Sequence, residues 1–447
     1  MKVHALSLGL LLLLSCTATA ATQTPAVAVQ LNEAMATLTG PWRFHVGDNP
    51  RWADPAFDDS EWEVVEVVAT ASATDGDVGL PNYAPGWSAK GHQRYDGYAW
   101  YRIHLDIRTP ASEALALLGP WAVDSAYQIY ENGRLLGGVG NFSGVTPIAH
   151  GYHYPTFFAL PPPTRGALLI AIRVWMGPWD LDDPAGGGIH IAPAIGERHA
   201  IAAQYHLQWL KIFAGYVTDT IPALLFFLAA IMVLCLQPLD HGGRSYPWLA
   251  AALTLSGIQR ANQPFFFWLQ IETVRDFVIF IAAIGSLSMG AWMMAWRSWF
   301  EETGAAWLPK TISGLTFALF IAHLLDNPWL FHATFPHSAS IGVRHLITIV
   351  RLTFLLILAR IAYRGVLRRG RDGWYALPAV LAIGTVLFSS ELAAAHVPGI
   401  WFPWGVGLSL SECASMVFVL LLFVLLVRQL WSHAGHLQPR RASTAGA

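Results

Sequence analysis

Charged residues are scarce in this chain of 447 residues. Asp, Glu, Lys and Arg make up 13% of it, whereas soluble proteins carry about a quarter. The formal net charge of −2 gives no reason to expect nucleic acid as a partner, because no basic stripe is present to neutralise a phosphate backbone. Cysteine occurs only as Cys16, Cys235 and Cys413, so the long segment between the first two contains no disulfide and must fold around an apolar core.

The first 20 residues have the composition of a secretory signal peptide. Lys2 precedes an apolar run over residues 5–14 and the small residues 18–20, which predicts cleavage after Ala20. The alternative is lipoprotein-type cleavage that leaves an acylated Cys16. Both interpretations export the segment that follows, so residues 21–199 are expected outside the cytoplasm.

Apolar runs of membrane-spanning length recur seven times in the second half of the chain. A helix needs about 20 mostly apolar residues to cross the hydrocarbon core. The stretches that qualify are 212–236, 246–269, 277–296, 311–325, 341–363, 374–396 and 405–430. They predict an all-α bundle over residues 212–431, with the lipid bilayer as its partner, and a disordered tail over 432–447.

Basic residues in the loops predict the orientation of this bundle. The external loops 327–340 and 397–404 contain no Lys or Arg, and the loop 270–276 contains only Arg275. The loops on the other side hold Arg244, Arg297, Lys310, the arginines of 364–371 and those from 428 onward. Positive charge is retained in the cytoplasm, so we expect the N-terminus outside and the C-terminus inside.

Seven charged residues within or next to the predicted spans, mostly in the outer halves, are expected to form a polar cluster that opens toward the periplasm. They are Asp219, Arg260, Asp326, Arg344, Arg351, Glu391 and Glu412. Charges are costly in hydrocarbon and normally face the bundle interior or one another. Two interpretations stay open: structural pairs that fix helix packing, or a ligand pocket or proton-sensitive switch.

The exported segment has the pattern of an all-β sandwich. Short alternating runs at 98–107, 125–130 and 167–175 are bounded by Gly, Pro, Asn and Asp. Asn132 and Gly133 separate two such runs, which predicts a two-residue hairpin with positive φ at both positions. Residues 21–199 are therefore expected to form one β domain.

Three segments of this domain carry a resemblance to a known module. They are LTGPWRFHVGDNPRWADPAFDDSEW (38–62), GYAWYRIHLDI (97–107) and AYQIYENGRLLGG (126–138). Their order resembles the galactose-binding-like jelly-roll modules at the front of β-galactosidase-type enzymes. The module followed by seven helices resembles the bacterial seven-transmembrane receptors with diverse intracellular signalling modules. This implies a jelly roll in the periplasm, a bundle in the inner membrane, and a receptor for carbohydrate or another small polar ligand.

The resemblance separates structural aromatics from candidate ligand contacts. Trp42, Phe44, Phe57, Trp62, Trp100 and Tyr101 occupy structural positions of the module. Other side chains lie in loops or at strand ends, where an aromatic face and polar groups suit a sugar. These ligand candidates are Trp87, His92, Arg94, Trp121, Asn141, Trp175, Trp179, Asp180, Asp182 and Asp183. Residues 175–183 have a competing use, which is packing against the outer face of the bundle. No metal is predicted, because the three aspartates lack a complete Ca²⁺ ligand pattern.

Receptors of that family usually continue into an enzymatic output module after the seventh helix. About 17 residues follow Leu430, and the chain contains no kinase signature, phosphate-binding loop or Ser/His/Asp motif. We therefore expect a receptor without enzymatic activity or cofactor, which signals to a separate cytoplasmic protein through residues 365–372 and the tail. The alternatives are a transporter, which would require discontinuous helices or internal repeats, and a protein that anchors envelope glycan.

Overall fold

The computed structural model describes residues 34–69, 83–107, 114–149, 154–161, 166–181, 183–237, 246–269, 273–302, 304–331, 336–400 and 409–436. The predicted signal peptide and most of the predicted tail lie outside these residues. Strands fill the first part of the described chain and apolar helices the second, which confirms the predicted division into a β sandwich and a helical part.

Antiparallel strands form the first part. In chain order they are β1 Met35–Thr37, β2 Trp42–Val46, β3 Glu63–Val65, β4 Gly97–Ile107, β5 Leu115–Leu118, β6 Val123–Asp124, β7 Ala126–Glu131, β8 Arg134–Val139, β9 Phe157–Ala159, β10 Gly166–Met176, β11 Gly188–Ile189 and β12 Ala194–Glu197. A six-stranded sheet has the order β3-β2-β4-β10-β7-β8, and a four-stranded sheet has the order β1-β12-β5-β9. Strands β6 and β11 pair separately.

The two larger sheets enclose an apolar core. Tyr101 of β4 and Ile172 of β10 are paired in register and buried, and they belong to the same cluster as Leu117 of β5 and Ile195 of β12. Alternate residues of each strand point to opposite faces, so one face of β4 supplies this core.

The outer face of β4 is covered by the chain between β2 and β3. Trp100 and Arg102 are fully buried, and Trp52, Phe57 and Trp62 pack over them. Phe57, Trp62 and Trp100 therefore pack together on this outer face, whereas Trp42, Phe44 and Tyr101 pack in the core between the sheets. Both groups have the structural roles expected of them.

The turn between β7 and β8 has the predicted form. Asn132 has a φ of 46° and Gly133 a φ of 84°, as a two-residue hairpin turn requires. The Asn132 side chain also accepts a hydrogen bond from the amide of Leu169 at 2.9 Å, which fixes the turn to β10.

Seven long helices lie in the second part of the described chain. They are α1 Arg198–Leu236, α2 Tyr246–Leu269, α3 Val274–Trp299, α4 Leu308–Leu325, α5 His337–Arg369, α6 Arg371–Leu387 and α7 Leu410–His436. A short helix, Ser389–Ala394, follows α6. Each long helix covers most of one predicted span.

Five of these helices, α1, α3, α4, α5 and α7, are long and apolar enough to cross a membrane. Helix α6 has 17 residues and a length of about 26 Å, slightly less than the hydrocarbon core. Helix α2 contains the polar run QRANQ at 259–263. Large apolar side chains such as Leu224, Leu228 and Ile231 are more than half exposed on α1. This exposed apolar surface requires lipid, as in a membrane protein.

Two boundaries differ from the sequence-based expectation. Helix α1 begins at Arg198, directly after β12, whereas a connection over 200–211 was expected before a span at 212. Its first turns mix apolar residues with polar ones such as Gln204, His206 and Lys211, so their composition does not mark a membrane span. Helix α7 continues to His436, although the disordered tail was expected from residue 432. Pro222 lies inside α1.

Candidate functional site

The first turns of α1 pack against the four-stranded sheet. Ile201 is fully buried in a cluster with residues of β5 and β12. Tyr205 contacts Phe157 with ring centroids 6.2 Å apart, and Trp209 meets Tyr154 edge-on at 5.1 Å. Because no linker separates β12 from α1, the sandwich and the first helix are joined both covalently and by packing.

A second contact, the junction cluster, joins the other end of the sandwich to the bundle. It contains Ala126, Ala149, Trp175, Ile212, Tyr216, Phe266, Phe267 and Val274, with Trp121 and Trp179 packed at its edge. The Val274 amide also donates a hydrogen bond to the Ala149 carbonyl at 3.1 Å. The β domain thus contacts the middle of α1, the last turn of α2 and the first turn of α3.

Trp179 extends this contact to the segment after α4. Its ring lies 5.5 Å from that of Trp175 and 5.0 Å from that of Trp329. Trp179 lies in a 3₁₀ turn, Pro178–Asp180, that follows the end of β10. Pro178 takes the first position of this turn, which is a position that proline favours. The structure therefore places Trp175 and Trp179 against the bundle, the competing use that the sequence offered for residues 175–183. Trp121, which was expected only as a ligand contact, lies at the edge of the same cluster.

The remaining ligand candidates lie elsewhere. Trp87 is fully buried and its indole donates to the Tyr95 carbonyl, so it packs in the core. His92 lies 3.0 Å from the Glu63 carboxylate. Arg94 is an exposed residue with a φ of 57°.

Asn141 and the aspartates serve local turns in the structure. Asn141 pairs through its backbone with Ile148, and its side chain accepts from the Ser143 amide at 2.9 Å. Asp183 accepts from the Ala185 amide, also at 2.9 Å. Asp180 ends the 3₁₀ turn, and Asp182 lies outside the described residues. The candidates whose side chains the structure describes do not converge on one site.

Two grooves on the β domain offer space for a small ligand. One has a volume of about 450 Å³ and is lined by Pro50, Arg51, Ala53, Asp54, Pro55, Asn132 and Gly133. The other, of about 230 Å³, is lined by Pro41, Trp42, Arg43, Val64, Arg102 and His104. The first is within the size range of small-molecule sites. None of these groove residues was a ligand candidate in the sequence.

Asp59 forms a buried ion pair beside the smaller groove. Its carboxylate accepts from Arg102 at 2.6 Å and contacts His104 at 2.9 Å, and Arg102 also donates to the carbonyls of Trp52, Asp54 and Phe57. Burial alone would raise the pKa of Asp59, but these two partners lower it below its usual value.

A second buried pair joins His190 to Asp124. The imidazole Nε2 lies 2.7 Å from the Asp124 carboxylate, and Nδ1 lies 2.8 Å from the Ala84 carbonyl. The His190 ring also stacks on Tyr83 at 4.2 Å, and Asp124 accepts from the Gly187 amide. Burial would lower the pKa of His190, but Asp124 and these hydrogen bonds raise it. No sequence signal marked this histidine, because its partner is 66 residues away.

The charged residues of the predicted spans form separate contacts. Three ion pairs join neighbouring segments: Asp219–Arg260 at 3.5 Å, Asp326–Arg344 at 3.3 Å and Arg351–Glu391 at 2.8 Å. Glu412, at the start of α7, is within hydrogen-bonding reach of Asp219. The set expected as one cluster is thus distributed along the bundle.

Glu302, after α3, binds a row of arginines on α5. Its carboxylate is almost fully buried and lies 3.5, 3.3 and 2.9 Å from Arg360, Arg364 and Arg368, respectively. Residues four apart lie on the same face of a helix, so the spacing of these arginines is a signal that could have predicted the site. The network ties α3 to α5 at the end of α3 opposite the junction cluster.

Comparisons with known proteins give only a partial likeness. No protein-family model matches the chain, and no curated protein matches it. Beta-glucuronidase 2 of Bacteroides uniformis, bound to cyclophellitol-6-carboxylate aziridine, is 23% identical over 36% of this chain and 18% of its own, with a TM-score of 0.26. A beta-glucuronidase from glycoside hydrolase family 2 is 19% identical over 38% of this chain and 18% of its own, with a TM-score of 0.27.

A glycosyl hydrolase family 2 member from Bacteroides cellulosilyticus is also similar. It is 18% identical over 37% of this chain and 20% of its own, with a TM-score of 0.25. The chain therefore spans about a fifth of the length of these enzymes, and the similarity lies in the β domain. Likeness at this level assigns neither activity nor substrate to this chain.

Removal of the Trp179 ring is expected to loosen the junction cluster. Trp179→Ala deletes two aromatic contacts worth about 1–3 kcal/mol together. Amide hydrogen exchange in the first turn of α3 should rise about tenfold in the full chain. Trp248→Ala is the matched control, because this indole is 42% exposed on α2 and lies outside the cluster. Equal exchange in both variants would show that Trp179 does not hold the two parts together.

Proposed function

We propose that the protein is a transmembrane receptor. Its β sandwich binds a carbohydrate or another small polar ligand in the periplasm, and seven helices relay the binding to a separate cytoplasmic protein. The observation that carries this proposal is the direct continuation of β12 into α1, together with the junction cluster. A module that merely accompanied a transporter would need no such rigid attachment.

The proposed topology has seven crossings with the sandwich outside. Five helices meet the length and hydropathy of a span, and α2 and α6 lie between them in sequence. The arginines around Glu302 lie at the opposite end of α3 from the sandwich, which supports an inner, cytoplasmic position for that end. The same end carries residues 365–372, the proposed docking segment.

A ligand shifts a conformational equilibrium only as far as it binds one state more tightly than the other. In this receptor the two states would differ in the packing at the junction cluster. The ligand would bind in a groove of the sandwich, and α1 would carry the displacement inward. The larger groove, beside the Asn132–Gly133 turn, is of suitable volume for a monosaccharide.

The test is hydrogen exchange on the full chain in lipid nanodiscs, with and without a panel of galactose, glucose, glucuronic acid and N-acetylglucosamine. We expect at least one sugar to protect amides of the sandwich and also to change exchange in α1 beyond Ile212. Trp179→Ala should retain the protection of the sandwich and lose the response in α1.

The two parts of the proposal fail separately. If no sugar protects the sandwich, carbohydrate sensing is wrong. If a sugar protects the sandwich while α1 and the other helices are unchanged, relay is wrong, and an envelope-glycan anchor becomes the better account.

A further inference from the structure

Two buried carboxyl groups face each other between α1 and α7. Asp219 of α1 is 3% exposed and Glu412 of α7 is 1% exposed. Each is within hydrogen-bonding reach of the other, and Arg260 of α2 lies beside both. The described charged groups of the neighbouring helices at this position are thus two acids and one arginine.

The hydrogen bonds leave one oxygen of this group without a donor. Glu412 Oε2 accepts from the Ser409 amide at 2.8 Å, and Ser409 Oγ accepts from the Glu412 amide, which is a capping box at the start of α7. Asp219 Oδ1 accepts from Arg260 at 3.5 Å, whereas Asp219 Oδ2 is buried and receives no hydrogen bond in the described structure. The capping box accounts for one oxygen of the Glu412 carboxylate. It does not account for the position of this carboxylate against Asp219.

Charge compensation is also incomplete. Arg260 contacts Asp219 and the Ser415 hydroxyl, both at 3.5 Å, which is the outer limit for a hydrogen bond. By contrast, Arg351 binds both oxygens of Glu391. One arginine cannot neutralise two ionised carboxylates, and a net negative charge in this environment is costly. The site therefore requires one further positive charge.

A proton fits this requirement better than a metal ion. Within the described residues, no group of three or more His, Cys, Asp or Glu side chains could hold a metal. The nearby hydroxyls are already engaged, since Ser415 donates to the Ser411 carbonyl and Ser409 bonds Ser411. A proton needs only two facing oxygens, and it supplies the donor that Asp219 Oδ2 lacks.

We infer that Asp219 and Glu412 share one proton, so that the bundle contains a proton-binding site joining α1 to α7. The O–H group of one acid donates to the carboxylate of the other, and Arg260 balances the single remaining charge. Loss of the proton places two like charges on facing helices and weakens their packing. Asp219 lies one turn from Tyr216 of the junction cluster, so the proton acts on the helix that continues from the sandwich. This inference does not depend on the proposed receptor function.

The test uses the full chain in nanodiscs and infrared spectroscopy. At neutral pH the wild type should show the carbonyl stretch of a protonated carboxylic acid, and both Asp219→Asn and Glu412→Gln should lose it. Asp326→Asn is the matched control, because Asp326 faces Arg344 and no second acid, and this variant should keep the band. Two independent variants keep the test valid if one of them fails to fold.

The second readout is thermal stability against pH. Unfolding releases the shared proton, so the wild type should lose stability as the pH rises from neutral, and either variant should lose this dependence. Retention of the infrared band in both variants would overturn the inference. A further test replaces choline with sodium in the buffer at constant pH. If sodium stabilised the wild type but not Asp219→Asn, the site would hold sodium, and the inference of a shared proton would be wrong.

Discussion

Asp59→Ala is expected to lower the free energy of unfolding of the β domain by about 3–5 kcal/mol, because it leaves the Arg102 guanidinium buried without a counter-charge. Arg102 lies in the middle of β4, between Trp100 and His104 on the outer face of the large sheet. The effect should appear as faster amide exchange along β4 in the full chain, where exchange reports the free energy of opening.

Two further variants separate charge from packing in this prediction. Asp58→Asn is the control, because Asp58 is exposed and accepts only the turn hydrogen bond from Ser60, which asparagine retains. We expect it to leave exchange unchanged. The double variant Asp59→Ala with Arg102→Met removes both charges and should recover much of the loss. A double variant as unstable as the single one would mean that packing, and not the unpaired charge, causes the effect.

His190→Phe is expected to destabilise the β domain by a similar amount, about 3–5 kcal/mol. Phenylalanine keeps a flat ring against Tyr83 but removes the hydrogen bonds to Asp124 and the Ala84 carbonyl, so the buried Asp124 carboxylate loses its contact with the imidazole. The measurement is thermal unfolding of the full chain. His199→Phe is the control, because that side chain is 82% exposed. Equal unfolding temperatures for wild type and His190→Phe would contradict the prediction.

The same histidine gives the β domain a pH dependence with a defined sign. Both ring nitrogens face acceptor oxygens, so the folded state favours the doubly protonated imidazolium. The pKa of His190 is therefore raised above its ordinary value. The contribution of protonated His190 to the free energy of unfolding is complete below about pH 6.5. It is lost as the pH rises through the pKa of His190 in the folded state. The wild type should therefore lose stability on the alkaline side of 6.5, and His190→Phe should not show this step.

Local patterns predicted most elements of the fold. The apolar runs predicted the long helices because a helix in lipid must be apolar around its circumference. The alternation in residues 98–107 predicted β4, and Asn132–Gly133 predicted a turn whose geometry depends on those two residues alone. The aromatics of the jelly-roll motifs are buried as expected.

Features that depend on distant partners were not predictable in the same way. The first turns of α1 are neither fully apolar nor fully polar, and only their contact with β5 and β12 stabilises them as the start of the helix. Arg102 and Asp59 are 43 residues apart and meet only once the chain between β2 and β3 folds over the sheet. The row Arg360, Arg364 and Arg368 was visible, but its partner Glu302 was not.

The sequence predicted the residue types at the candidate site better than it predicted what those residues do. Tryptophan at a loop suits a sugar and a protein interface equally well, because both bury an aromatic face. Composition therefore could not decide between the two uses of Trp175 and Trp179, and the structure places both at the bundle. The grooves are lined by residues such as Arg51 and His104, which no sequence motif distinguishes from ordinary surface residues.

Pro222 divides α1 into two segments that can bend relative to each other. Pro222 has no amide hydrogen, so the carbonyl of Thr218 receives no helical hydrogen bond, and the rod is least stiff there. The whole helix is about 58 Å long. Its N-terminal segment packs on the sandwich, and its C-terminal segment packs in the core of the helical part through Phe226, Ala229 and Val233. Asp219 and its acidic neighbour lie at this hinge. A change in their charge would therefore bend α1 and would not slide it along its axis.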